Sequence, residues 1–142
     1  MGHSCYDSGT GSGNTMIGGD AGRSATGNDN VVVGYAAGNA LGNGPGNVLI
    51  GRSAGIAMTT GDYNIAIGYQ AADGLVGTAN NNIAIGPNAL GGCTAATQHA
   101  IAIGTNALGH ASYAAAAINL AIGLDAGLAV TTGTANVLIG HE

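Results

Sequence analysis

The side chains able to do chemistry are few, and their spacing brings none of them into a familiar reactive set. His3, His99, His110 and His141 have no metal-ligand spacing relative to one another. The seven acids are spread over separate stretches, so no carboxylate pair is set up for general acid and base work. Serines are present but lack the G-x-S-x-G context of an activated nucleophile. The Gly-rich run 7–13 has the look of a phosphate loop without the Lys and helix that would complete it. Cys5 and Cys93 form neither a metal motif nor a disulfide framework, and each reads as a small thiol in a loop or at a chain contact. No catalytic residue and no cofactor is expected. What remains is recognition through aromatic and adaptable polar side chains. His110, Ser112 and Tyr113, in the longest variable segment, are the best contact site, while Tyr6, Tyr35, Tyr63 and Tyr69 look scattered and suited to covering edges.

Composition narrows the partners. The chain has 142 residues, 28 of them Gly, with no Trp, Phe or Lys. Its net charge is −5, and Arg23 and Arg52 are the only basic side chains besides His. A nucleic-acid backbone, which needs several neutralising cations, is therefore not expected as a partner. No apolar run is long enough for a membrane span, and no signal peptide is visible. Disorder would fit the glycine content, but the aliphatic residues recur in fixed register. Collagen is excluded because Gly does not fall at every third place.

That register is set by one unit, Asn64-Ile65-Ala66-Ile67-Gly68. It returns seven times, and the Gly that closes each copy is Gly18, Gly34, Gly51, Gly68, Gly86, Gly104, Gly123 or Gly140. The intervals are 16, 17, 17, 18, 18, 19 and 17 residues, so eight repeats fill residues 1–142 as one domain. Asn opens seven of the eight copies, Ala100 replacing it in the sixth. Ala follows three residues after the closing Gly in every copy that reaches that far. Length varies only in the segments 23–26, 39–43, 56–60, 73–78, 91–96, 109–115 and 128–132, which read as outer loops. Frequent Gly argues against helix at about 1 kcal/mol apiece, leaving only Ala114 to Ala117 as a possible helical turn. The pattern predicts an all-β parallel solenoid of eight short coils. The closing Gly marks a corner, and the Asn amides are able to bond from coil to coil.

A strand sends alternate side chains to opposite faces. The larger β-branched residues before the closing Gly are expected inside: Ile17, Val33, Ile50, Ile67, Ile85, Ile103, Ile122 and Ile139. The residues one place earlier would then form an apolar outer stripe for oligomerisation: Met16, Val32, Leu49, Ala66, Ala84, Ala102, Ala121 and Leu138. On that assignment Ile85→Asp breaks the fold and Ala102→Trp breaks the assembly. A closed three-fold bundle is expected, since a ring avoids open-ended association. The alternative is a thicker single coil whose stripe is covered by a loop.

Tandem N-x-A-I-G-x-x-A units, with I-G-Y-Q-A at 67–71, I-G-P-N-A-L at 85–90 and I-G-T-N-A-L at 103–108, carry a resemblance. They resemble the YadA-like head repeats of trimeric autotransporter adhesins and the Gly/Asn-rich repeats of phage tail fibres. The resemblance implies a left-handed β-roll, a homotrimer, and an extracellular place on a virion or bacterial surface. It further implies attachment to a cell-surface glycan or outer-membrane receptor, with a purely structural shaft or filament as the alternative. Gly18-Gly19-Asp20 has a flavour of a calcium-binding β-roll, but the motif is not repeated. The aligned Thr59-Thr60 and Thr131-Thr132 do not extend into an ice-binding ladder.

Overall fold

A computed structural model describes residues 10–93, 97–110 and 118–142. It is an all-β parallel solenoid with no helix among the described residues. Each repeat contributes one strand of three residues, ending just before the closing Gly: β1 Thr15–Ile17, β2 Val31–Val33, β3 Val48–Ile50, β4 Ile65–Ile67, β5 Ile83–Ile85, β6 Ile101–Ile103, β7 Leu120–Ile122 and β8 Val137–Ile139. The strands form one parallel sheet in chain order. Equivalent residues pair directly, as Ala66 with Ala84 and Ile67 with Ile85. The segment Ala114 to Ala117 lies outside the described residues.

Both ends of each strand are corners. The closing glycines all have φ between 124° and 138°, a region open to glycine alone. They also stack closely: a Cβ on Gly86 would lie 2.7 Å from the Gly104 carbonyl carbon. Two residues further on the chain is left-handed again, at Asp20, Ala36, Ser53, Gln70, Asn88, Asn106 and Asp125. Such a conformation costs a non-glycine residue about 1–2 kcal/mol, less for Asn and Asp. Ladder hydrogen bonds on both sides hold it in place: Gln70 N–H donates to the Arg52 carbonyl and Asn88 N–H to the Tyr69 carbonyl.

A three-residue strand between two corners turns only its middle side chain inward. Val32, Leu49, Ala66, Ala84, Ala102 and Ala121 are completely buried, and Met16 and Leu138 pack against the same core. Their flanking residues point out, and Ile17, Ile85, Ile122 and Ile139 are exposed. The expected faces are therefore reversed. Ile17, Val33, Ile50, Ile67, Ile85, Ile103, Ile122 and Ile139 lie on the outside, while Met16, Val32, Leu49, Ala66, Ala84, Ala102, Ala121 and Leu138 form the inner wall. The physical reason is width. Across the interior stand Ala21, Ala37, Ala54, Ala71, Ala89 and Ala107, all fully buried.

In several places volume is traded between an inward strand residue and the corner of the same or a neighbouring coil. Where the inward strand residue is large, a glycine makes room: a Cβ on Gly38 would meet Leu49 at 2.8 Å, and one on Gly127 would meet Leu138 at 2.6 Å. Where it is Ala84 or Ala102, buried Leu90 or Leu108 takes that glycine's place in the coil. A further wall comes from segments expected to be outer loops. Ala25, Leu41, Met58, Leu75 and Cys93 each stand seven residues after a closing Gly, and all are buried. Cys93 is a free thiol whose pKa burial pushes up to about 12, offset in part by a bond with the Thr97 side chain. It acts as a small apolar filler and not as a nucleophile.

The asparagines share the inward face. Asn30, Asn47, Asn64 and Asn82 are buried. Each amide oxygen accepts from the next coil: Asn47 Oδ1 takes the Asn64 N–H at 2.9 Å and its Nδ2 at 3.1 Å. Asn64 Nδ2 also donates to the Ala79 carbonyl at 2.7 Å. The ladder is interrupted at Ala100. Its N–H still donates to Asn82 Oδ1 at 3.0 Å, but it offers no side-chain oxygen to Asn119. Ala100→Asn should restore that rung and raise stability by about 1–2 kcal/mol. The check is the midpoint of urea unfolding; an unchanged or lower midpoint would mean the amide ladder adds nothing net.

Candidate functional site

Two surfaces stand out. The first is the outward face of the sheet, a strip two residues wide that is aliphatic on β2 to β8 and carries Thr15 and Ile17 on β1. Exposed corner residues border it on both sides. One margin, just after the closing Gly, carries Tyr35, Arg52, Tyr69, Pro87, Thr105 and Leu124. The other, just before the Asn, carries Asp29, Tyr63, Asn81, His99 and Ile118. Tyr35 and Tyr69 thus share one edge with Arg52 between them, and the Arg52 guanidinium sits 5.8 Å from the Tyr35 ring centre. The two tyrosines, scattered along the sequence, share one offset from the closing Gly, which is the signal that places them on one edge. At about 4.8 Å per coil and 3.3 Å per residue, the face with its margins measures at most roughly 34 by 20 Å, or about 700 Å², because the chain turns at both corners. With its polar margins included, that footprint approaches the ~800 Å² per partner of a stable interface.

The second surface lies on the connections. An open groove of about 400 Å³ is lined by Asp73, Asn88, Gly91, Gly92, Asn106, Gly109 and His110. It is concave because three of these residues lack side chains. Asn88 Nδ2 donates to Asn106 Oδ1 at 3.2 Å, and Asn106 Nδ2 donates to Asp125 Oδ1 at 2.8 Å. Asp73 is half-buried, and burial raises its carboxyl pKa above 3.8, opposed by its own N–H and that of Gly74. The groove offers a carboxylate, amides and an imidazole, a set suited to hydroxyl groups of either hydrogen-bonding sense.

Burial favours the protonated form of Asp73 in the folded chain. Its contribution to stability is fully present below the unfolded pKa and is lost as pH rises through the folded one. Asp73→Asn should therefore stabilise the protein at about pH 7 and give no gain at about pH 3. Thermal midpoints at the two pH values check this; a loss near neutrality would contradict it.

Of the expected contact residues, the structure places exposed His110 at the groove. Ser112 and Tyr113 lie outside the described residues. Asp73, Asn88 and Asn106 were not anticipated, because only the coil geometry brings three separate repeats together. Among the described residues no three His, Cys, Asp or Glu side chains come together as a metal site, and no helix is long and apolar enough to cross a membrane. No protein-family model, curated protein or solved structure matches the chain.

Proposed function

We propose that the protein is a non-enzymatic, extracellular fibre segment. It bundles side by side as a homotrimer and presents its connection side to a host or neighbouring surface. The observation that carries this reading is the outward aliphatic face, which runs from β2 to β8 and asks for a partner. The resemblance of the repeats to adhesin heads and phage tail fibres supports it. The groove at Asp73, Asn88, Asn106 and His110 is the contact site on this reading, and its acceptors and donors suit glycan hydroxyls. With no lysine and a net charge of −5, the chain favours neutral over acidic sugars.

A glycan panel tests it. Binding that falls at least tenfold in Asn106→Ala and His110→Ala supports attachment. Binding that is absent, or unchanged in both variants, leaves a structural shaft as the function. The regular eight-strand ladder favours that second reading, since stacked coils give length and stiffness without any ligand.

A further inference from the structure

We infer that the two margins of the aliphatic face recognise each other between copies, the Tyr35–Arg52–Tyr69–Leu124 margin of one chain lying against the Asp29–Tyr63–Ile118 margin of the next. This inference rests on the side-by-side assembly proposed above and adds its direction and register. Rotation about an axis parallel to the solenoid keeps every coil level with its own copy and brings one margin against the other. The chemistry then has to match along the length of the margins, and their largest side chains decide whether it does.

At the seventh coil, Leu124 is 44% exposed on one margin. The opposite margin has a shallow hollow of about 230 Å³ centred on that coil, lined by Ile101, Ile118, Leu120 and Val137 among others. Leu124 fits it as a knob fits a socket. At the fourth coil, Tyr69 on one margin meets Tyr63 on the other, both about half exposed or more in the single chain. Arg52 leans over Tyr35 at the second coil, which brings its charge within one coil of the Asp29 carboxylate, itself lying over Gly13 on the facing margin. An antiparallel pairing would set the second coil against the seventh and bring Arg52 and Asp29 onto Leu124 and Ile118, desolvating charge against apolar surface. The margins therefore specify parallel chains in one register.

Cysteine pairs test this directly. Within one chain, residues 63 and 69 stand across the width of the sheet, roughly 20 Å apart by strand rise. A disulfide needs Cα atoms within about 7 Å, so any 63–69 bond is between chains. Under mild oxidation Tyr63→Cys/Tyr69→Cys should give a covalent trimer on denaturing gels, as should Ile118→Cys/Leu124→Cys. Each single variant should not, and neither should the mismatched pair Tyr63→Cys/Leu124→Cys, three coils out of step. Peptide mass spectrometry identifies the bonded residues, and circular dichroism confirms that each variant is folded. Sedimentation of the same samples separates the two ideas. A trimer without 63–69 or 118–124 bonds overturns the margin pairing and leaves the assembly standing. A folded monomer overturns both.

Discussion

Ala102→Trp is expected to abolish the folded solenoid. Ala102 is completely buried in the middle of β6, between Ala84 and Ala121 in neighbouring strands. Buried Leu108 fills the space that glycine leaves open in other coils, so no void awaits a larger side chain. Adding even a few methylenes to a filled core costs about 1–3 kcal/mol, and an indole adds far more. Each coil is held by its neighbours, so a breach in the sixth also frees the fifth and seventh. With total stability on the order of 5–15 kcal/mol, loss of the cooperative thermal transition is the expected result. A variant that melts like the parent but no longer assembles would restore the original assignment of faces.

Ile85→Asp combined with Ile67→Asp should do the opposite. Both residues lie on the outward face, Ile85 being 36% exposed in the single chain and Ile67 less so. In one chain each carboxylate reaches water, and the cost to folding stays near the ~1 kcal/mol span of strand propensity. In a side-by-side bundle the same groups are dehydrated and face copies of themselves at the same level. Several kilocalories per mole of repulsion and desolvation follow. The expected outcome is a folded chain with an unaltered β-sheet spectrum and a mass several-fold lower. Aggregated or unfolded protein would mean that these residues belong to the interior.

The repeat length, the strand positions, the glycine corner and the inner alanine three residues later could all be read from the sequence, because each depends on a local backbone demand. The faces could not be read from side-chain size. β-branched residues are favoured on a pleated surface wherever that surface is covered, whether by the chain itself or by another copy. The better guide was parity. Asn64 and Ala66 lie on the same side of the strand, and an amide that bonds from coil to coil is sheltered from water inside. The row of Leu41, Met58, Leu75 and Cys93 was hidden for another reason. It sits in segments whose lengths differ, and differing length suggests an outer loop, whereas the extra residues are added after that row. The groove of Asp73, Asn88, Asn106 and His110 depends on which corners align between coils, which no single repeat reveals.

Sedimentation equilibrium of the unmodified protein tests most directly whether the β-branched face exists to be covered by other copies. A particle of three times the 13.5 kDa chain mass is the predicted result. A stable, folded species of 13.5 kDa at ~100 μM would contradict it, since that limits association to weaker than about −5.5 kcal/mol.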